Sequence, residues 1–141
     1  KMDFLLVLNF FISGFMLGLI FVTQIVSYPL FSKVEMNIFT SYHDDYVKRI
    51  SFIAVPVMLS ELFVSILVYY YVPSTLSFLL LITMGLIFLS TFLIQVPIHE
   101  KIKFGGRRFL FKRLVDTNWI RTFGWFVKSI VSFLIIFKEI L

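Results

Sequence analysis

Residues 50–97 read ISFIAVPVMLSELFVSILVYYYVPSTLSFLLLITMGLIFLSTFLIQVP, and this stretch decides the fold. It holds two apolar runs, 50–71 and 76–97, on either side of a short turn at 72–75 that contains proline and serine. The hydrocarbon core of a bilayer is about 30 Å thick, and about 20 helical residues cross it. Each run is long enough for one crossing. The stretch therefore predicts two transmembrane helices joined by a tight turn.

Two further apolar runs flank this hairpin, at about 4–29 and 118–137. The chain of 141 residues is 60% hydrophobic and 15% charged, and its mean hydropathy is +0.97. A soluble domain of this size has no core large enough to bury so much apolar surface. The first run is longer than the apolar region of a signal peptide, which has about 7–15 residues. We therefore predict an all-α, polytopic membrane four-helix bundle with four transmembrane helices in a single domain, 1–141.

The two longer connections, 30–49 and 98–117, follow the first and third helices and so lie on one side of the membrane. They contain nine of the 13 lysines and arginines, whereas Lys1 and Lys138 flank the helices on the opposite side. Cytoplasmic loops are enriched in basic residues. We predict a multi-pass protein of the cell membrane with both long connections in the cytoplasm and both termini outside. Topology and lipid phosphates account for this charge, so no nucleic-acid partner is predicted.

Helical periodicity extends into the first connection, where large apolar or aromatic residues recur every four positions, at Ile38, Tyr42, Tyr46 and Ile50. If this helix runs straight into the second apolar run, His43 and Glu61 lie five turns apart on one face. Pro56 lies between them and is able to kink such a helix. In the second connection the glycine pair at 105–106 predicts a turn, and residues 107–115 predict a basic amphipathic segment on the membrane surface.

Polar residues within the apolar runs are informative, because hydrocarbon penalises each polar group that lacks a partner. At 100° per residue they fall on one face of each helix: Asn9, Ser13, Gln24 and Ser27; Glu61 and Ser65; Thr91, Gln95 and His99; and Asn118, Arg121, Thr122, Trp125, Lys128, Ser129 and Ser132. Four such faces predict a polar interior. Its residues either hold the helices together through hydrogen bonds or form a binding site. Glu61 and Lys128 lie at equal depth near mid-bilayer, and we predict that they form an ion pair.

Several of these interior residues are candidates for ligand binding, catalysis or metal binding. The predicted ligand-binding residues are Glu61, Gln95, His99, Asn118, Arg121, Trp125 and Lys128, and the catalytic candidates are His43, Glu61, His99 and Arg121. The two histidines of the chain, His43 and His99, are the candidates for holding haem or a metal. Their spacing matches no dedicated metal motif, so histidines that only form hydrogen bonds are the alternative. The absence of cysteine excludes thiolate ligands and cysteine nucleophiles.

Gly14 and Gly18 form a small-xxx-small pair on the face of the first helix opposite its polar residues. Such a pair favours close contact between helices, so it predicts a homo-oligomer or a partner subunit on that face. Glycine is also common in apolar helices, and a chance pair is the alternative.

Several runs of the sequence carry a resemblance to a known group: QVPIH at 95–99, TNWIRT at 117–122 with Trp125 and Lys128, YPLF at 28–31 and MLSE at 58–61. They resemble small bacterial four-helix integral membrane proteins of unassigned function. That group often has an arginine at the place of Lys128. It is distantly similar to anthrone-oxygenase-like membrane proteins, which implies cofactor-independent oxygenation. No catalytic residue of those proteins is matched in this chain.

Three functions remain open from the sequence. The first is an integral membrane protein with a polar intramembrane pocket for a hydrophobic small molecule or cofactor, with or without enzymatic activity. The second is a non-enzymatic accessory subunit of a membrane complex, which uses the interior residues for stability and the glycine face for docking. The third is a small transporter that acts as an oligomer, because four short helices enclose little volume.

Overall fold

The computed structural model of the chain describes residues 2–104 and 108–140. Its four long helices are α1 (Met2–Lys33), α2 (Met36–Tyr71), α3 (Thr75–Lys103) and α4 (Arg108–Glu139). Each of them is long and apolar enough to cross a membrane. The prediction of an all-α four-helix membrane bundle is confirmed, and the predicted turn lies between the end of α2 and the start of α3.

Two helices begin well before the apolar runs that predicted them. Helix α2 begins at Met36 rather than near Ile50, and α4 begins at Arg108 rather than near Asn118. At about 1.5 Å per residue, the 36 residues of α2 span about 54 Å, far more than the hydrocarbon core. The first turns of both helices are polar, so hydropathy does not count them as membrane-spanning although they are helical.

The sequence indicated a surface segment, a glycine turn and a proline kink along these helices, and the structure treats each of them differently. The segment 107–115 is not a separate surface element, because from Arg108 onwards it is the first part of α4. The glycine pair at 105–106 lies outside the described residues. Pro56 lies within α2, which stays a continuous α-helix on both sides of it.

Helix α4 packs against both α1 and α3, and α2 packs against the same two helices, so α2 and α4 lie diagonally opposite each other. The approach of α4 to α3 depends on Gly124. A Cβ atom at this position would lie 2.7 Å from Cγ1 of Ile87, which is closer than carbon atoms pack. The missing side chain therefore lets the two helix backbones come together.

Two π-helical turns interrupt the α-helices, at Thr23–Ser27 in α1 and at Thr91–Gln95 in α3. Each is followed at once by a residue and a proline, Tyr28-Pro29 and Val96-Pro97. Proline lacks the backbone N–H of a regular helix and its ring clashes with the carbonyl four residues earlier. A wider turn directly before the proline relieves that clash while the helix continues.

Buried apolar side chains form three clusters along the bundle. The first lies at the end that contains the 72–75 turn and includes Leu6, Val68 and Leu80. The middle cluster includes Met16, Met58, Ile87 and Trp125. The third includes Tyr28, Phe31, Phe39, Ile98 and Leu114. We call the first end the turn end and the opposite one, where Lys33, Lys101 and Arg113 are exposed, the basic end.

Candidate functional site

The middle of the bundle holds a buried ion pair. Nζ of Lys128 lies 2.9 Å from Oε1 of Glu61, and both side chains are fully buried. The pair crosses the bundle from α4 to the diagonally opposite α2. The predicted ion pair is therefore confirmed. Two opposite charges at one depth in an apolar bundle contact each other because neither has water as an alternative partner.

Neutral polar side chains complete this pair. Nε1 of Trp125 donates to Oε2 of Glu61 at 2.8 Å, and Nζ of Lys128 donates to Oγ of Ser13 at 2.8 Å and to Oδ1 of Asn9 at 3.4 Å. Nδ2 of Asn9 donates to Oγ of Ser132 at 2.9 Å. We call these six residues the central network: Asn9, Ser13, Glu61, Trp125, Lys128 and Ser132.

A second polar junction surrounds Gln24, which lies in the π-helical turn of α1. Its Oε1 accepts hydrogen bonds from Nδ2 of Asn118 at 2.9 Å and from Oγ1 of Thr122 at 3.0 Å. Its Nε2 donates to the carbonyl oxygen of Val115 at 2.9 Å. The junction ties α1 to α4 at the basic end of the central network. The wider turn brings Gln24 into register with these partners.

Beside this junction, a cavity of about 240 Å³ lies between α1, α2 and α3, in the basic half of the bundle. Its inner wall is apolar and includes Met16, Ile20, Ala54, Met58 and Phe88. Its polar end carries Tyr28, Tyr46, Gln95, His99, Glu100 and Arg121. The space is thus amphipathic, with a hydrocarbon-like part toward the middle of the bundle and a polar head toward the basic end. We call it the basic-end cavity.

The basic-end cavity has a mouth between α2 and α3. Val55 and Leu59 of α2 and Phe92 and Val96 of α3 line the cavity and are also exposed on the outside of the bundle. All four are apolar and lie within the apolar runs of their helices. Exposed apolar residues of a membrane-spanning helix face the hydrocarbon of the bilayer, so the mouth is the side of the cavity next to the lipid.

Arg121 is the buried charged residue in the lining of this cavity, which also includes the exposed carboxylate of Glu100. It is 9% exposed, and its guanidinium lies over the ring of Trp125 at 5.5 Å. Within residues 2–104 and 108–140, no carboxylate forms an ion pair with it. Its Nε also has no hydrogen-bond partner in that part of the chain. Arg121 is thus a buried cation that lines the cavity and has no carboxylate partner among the described residues.

Gln95 contributes a second incomplete group. It lies at the end of the π-helical turn of α3, and its Nε2 donates to Oγ1 of Thr117 at 2.9 Å. Its Oε1 is buried and has no hydrogen-bond partner among the described residues. Gln95 thus adds an acceptor without a partner to the same lining that contains Arg121, and a few such polar groups are what orients a polar head group in a binding site.

The two histidines meet at the basic end. Nε2 of His43 lies 2.9 Å from Nδ1 of His99, and Nε2 of His99 lies 3.0 Å from Oη of Tyr28. His43 is 2% exposed although it lies on the polar first part of α2. His43 and Glu61 are both buried along α2, as their shared face predicts, but they belong to different sites.

A shared metal does not suit this geometry. A metal bound between two imidazoles lies about 2 Å from each nitrogen, so a haem iron with histidines on opposite sides holds the nitrogens about 4 Å apart. The observed 2.9 Å between the facing nitrogens is a hydrogen-bond distance. The described residues also contain no group of three or more His, Asp or Glu side chains placed to hold a metal ion.

The structure divides the predicted ligand-binding residues among three places. Gln95, His99 and Arg121 line the basic-end cavity, as the shared polar faces of α3 and α4 indicate. Glu61, Trp125 and Lys128 form the core of the central network, and Asn118 binds Gln24. That any of these residues binds a ligand stays a prediction.

Sequence reasoning missed Tyr28 as a site residue. It is 4% exposed, lines the cavity and contacts His99 through its hydroxyl group. The available signal was a tyrosine directly before a proline at the end of an apolar run, which by itself reads as an interfacial anchor.

The predicted glycine face points outward. Gly14 and Gly18 are exposed on α1, and a Cβ atom at either position would meet no other atom within 4 Å. Their orientation agrees with the prediction. A partner on this face stays a prediction.

Comparisons of the chain with protein-family models, with curated proteins and with solved structures gave no match. The resemblance to small four-helix membrane proteins and to the anthrone-oxygenase-like group therefore stays a prediction.

Proposed function

We propose that this integral membrane protein takes a hydrophobic small molecule with an acidic head group from the bilayer and binds it in the basic-end cavity. The observation that carries the proposal is the buried guanidinium of Arg121, which lines the cavity without a carboxylate partner in the described chain. The anionic head of the ligand supplies the missing charge. The hydroxyl group of Tyr28 orients the head through a hydrogen bond, whereas Oε1 of Gln95 accepts only from a head group that still carries its proton.

The energetics of a buried charge support this assignment. A cation in the middle of a transmembrane helix is unfavourable by about 3 kcal/mol on insertion scales, unless it finds a partner or water. Lys128 has such a partner in Glu61. Arg121 lies at a shallower depth on the same helix and has none among the described residues. A ligand anion lowers the free energy of this site because it pairs with a charge that is already buried.

The size and the mouth of the cavity narrow the class of ligand. A cavity of about 150 Å³ suffices for benzene. A volume of about 240 Å³ therefore admits one substituted ring or a short chain with its head group, and not a whole phospholipid. A longer alkyl tail leaves through the mouth between Val55 and Phe92 into the lipid. We infer a membrane-soluble weak acid, such as a phenol or a carboxylic acid.

The direct test is to purify the protein in lipid nanodiscs, extract it with organic solvent and identify bound small molecules by mass spectrometry. We expect a weak acid in amounts close to one per chain, and we expect Arg121→Met to lose it. Arg113→Met is the matched control, because Arg113 lies on the same helix but is exposed to solvent. Wild-type protein with no bound weak acid, and with no binding of added alkylphenols or fatty acids, would favour the accessory-subunit alternative.

We also propose that the basic end faces the cytoplasm, so that both termini lie outside. This proposal rests on the excess of basic residues in segments 30–49 and 98–117. Ser32→Cys at the basic end and Thr75→Cys at the turn end introduce exposed thiols into a chain without cysteine. In intact cells we expect a membrane-impermeant thiol reagent to label only Thr75→Cys. Labelling of only Ser32→Cys would reverse the orientation.

A further inference from the structure

Three side chains from three helices form a continuous row of hydrogen bonds at the basic end. Oη of Tyr28 (α1) lies 3.0 Å from Nε2 of His99 (α3), and Nδ1 of His99 lies 2.9 Å from Nε2 of His43 (α2). Both nitrogens of His99 are therefore engaged. Nδ1 of His43 is left at the end of the row, where it is buried and has no partner among the described residues.

The chemistry of neutral imidazole makes all hydrogen bonds of this row point the same way. Each neutral ring carries one N–H donor and one acceptor nitrogen. If the Tyr28 hydroxyl donates to Nε2 of His99, then Nδ1–H of His99 donates to Nε2 of His43, and Nδ1 of His43 carries the last proton. All donors then point away from the cavity. The reverse arrangement points them all toward it, so the row has two states that differ by the passage of one proton.

We propose that Tyr28, His99 and His43 form a proton relay through which a weak acid bound in the basic-end cavity releases its proton to the aqueous side. This inference rests on the proposed function, because it assigns the path of the proton that must leave when a neutral acid from the bilayer becomes an anion beside Arg121. The substrate class that it requires is an ionisable head group, a phenol or carboxylic acid, and not an ester or an alkane.

The two ends of the row lie in environments suited to this task. Tyr28 and His99 line the basic-end cavity together with Arg121. His43 and His99 also line a second space, whose other polar residues are Asp44, Lys48, Glu100 and Lys103. That space is polar enough for water to form several hydrogen bonds. The relay therefore runs from the basic-end cavity to the wall of this charged space, where water that enters the space reaches the buried Nδ1 of His43 by a small opening of the wall.

The proton balance of one passage is simple. The O–H of the bound acid donates its proton to Oη of Tyr28, while the Tyr28 proton moves to Nε2 of His99. The proton on Nδ1 of His99 moves to Nε2 of His43, and the proton on Nδ1 of His43 leaves to water. Each of the three groups ends with as many protons as it began with, and the ligand is left as an anion beside Arg121. Release of the ligand as a neutral acid reverses every transfer and resets the row.

Aromatic side chains insulate the relay. Phe31 and Phe39 are buried, and the ring centroid of each lies 5.6 Å from that of His43. Such packing holds the imidazole in place and keeps water away from the side of the row. The titratable and charged groups around the relay are Asp44, Tyr46 and Lys48 of α2, Glu100 and Lys103 of α3, and Arg121 of α4. Any pH dependence of proton transfer therefore includes their charges.

The test uses a hexyl-substituted nitrophenol as the probe, because its phenolate absorbs visible light and its phenol does not. Stopped-flow mixing with wild-type protein in nanodiscs gives both the affinity and the rate at which the bound probe ionises. We expect Tyr28→Phe to slow ionisation by roughly 10²-fold, the usual contribution of a positioned proton-transfer group. The variant also loses the hydrogen bond from the Tyr28 hydroxyl group to the probe, so we expect a smaller fold-change in affinity, measured in the same experiment. Tyr42→Phe is the matched control, because it removes an exposed hydroxyl from the turn of α2 next to His43.

A second variant separates proton transfer from packing. His43→Ala removes the outer member of the relay and leaves space for a free imidazole molecule. We expect added imidazole to restore the ionisation rate of His43→Ala, and we expect the wild-type rate to fall in D₂O.

The outcomes distinguish the relay from the proposed function. Binding and ionisation by wild-type protein, with unchanged rates in Tyr28→Phe and His43→Ala, would overturn the relay and leave the binding site intact. The absence of probe binding to wild-type protein would overturn both. A slow His43→Ala variant that imidazole does not restore would make His43 a packing residue and would also overturn the relay.

Discussion

The central network and the basic-end cavity are both polar regions inside an apolar bundle, but they differ in how their charged residues are paired. In the central network, Lys128 and Glu61 contact each other, and neutral side chains from α1 and α4 supply further hydrogen bonds. In the basic-end cavity, Arg121 has no carboxylate partner and Oε1 of Gln95 no donor within the described chain.

The difference shows how polar residues that hold a membrane bundle together are told apart from polar residues that are placed to bind a ligand. Polar residues that hold helices together satisfy one another inside the chain. Polar residues that serve a ligand are left incomplete next to a space. Both sets lie on the same polar face of α4, so helical periodicity alone does not distinguish them.

The largest expected effect comes from breaking the central network. Glu61→Gln or Lys128→Met leaves one buried charge without its partner, so each single variant is expected to lose about 3–5 kcal/mol of stability. The double variant is expected to lose less than the sum, because no orphan charge remains. Thermal unfolding in detergent measures all three. Additive losses would contradict a direct pair.

The matched control for this cycle is the exposed pair on α4. Lys112 and Asp116 form an ion pair one turn apart, with side chains 76% and 56% exposed. Lys112→Met and Asp116→Asn are expected to leave the unfolding temperature almost unchanged, because water solvates either partner alone.

A smaller effect on stability is expected from substitutions that test packing, one next to Trp125 of the central network and one in the basic-end cavity. Gly124→Ala places a methyl group 2.7 Å from a side-chain carbon of Ile87, so we expect it to lose about 1–3 kcal/mol through overpacking. Ala54→Leu extends a side chain into the basic-end cavity, so it is expected to leave stability within about 1 kcal/mol while it reduces ligand binding. The two variants are compared by unfolding in detergent. An equal loss of stability in both would mean that the cavity is closely packed.

The smallest expected effect is a gain of stability and not a loss. Arg121→Met removes an unpaired buried cation, so in ligand-free protein we expect stability to rise by about 0.5–2 kcal/mol, as is common when a functional residue is replaced by a packing residue. Arg113→Met, exposed on the same helix, is expected to change little. A loss for Arg121→Met as large as that for Lys128→Met would place Arg121 among the structural charges.

The sequence predicts the membrane-spanning parts well, because apolar length is a direct physical requirement of the bilayer. It also predicts the pair of Glu61 and Lys128, since depth follows from residue counts and two buried charges need each other. The periodicity of Ile38, Tyr42, Tyr46 and Ile50 also predicts the helical start of α2, which the structure places at Met36. The start of α4 at Arg108 was not predicted, because hydropathy does not report the helicity of its polar first turns.

The candidate site was predicted only in part. Gln95, His99 and Arg121 follow from helical faces, but their position beside a cavity depends on how the bundle packs. The contact of Tyr28 with His99 depends on two π-helical turns, which no periodicity of 3.6 residues predicts.

Those two π-helical turns have a consequence for how this bundle tolerates changes in length. A π-helical turn holds about one residue more than an α-helical turn, so it absorbs an insertion without rotating the helix beyond it. Deleting Leu93, which is 70% exposed within the turn of α3, is expected to keep His99 facing Tyr28 and His43, while it brings back the clash that the wider turn relieves at Pro97. Deleting Leu89, in the regular part of α3, shifts every later residue by about 100° around the axis. A deletion at Leu93 thus preserves the orientation of His99, whereas a deletion one turn earlier, at Leu89, rotates His99 away from Tyr28 and His43.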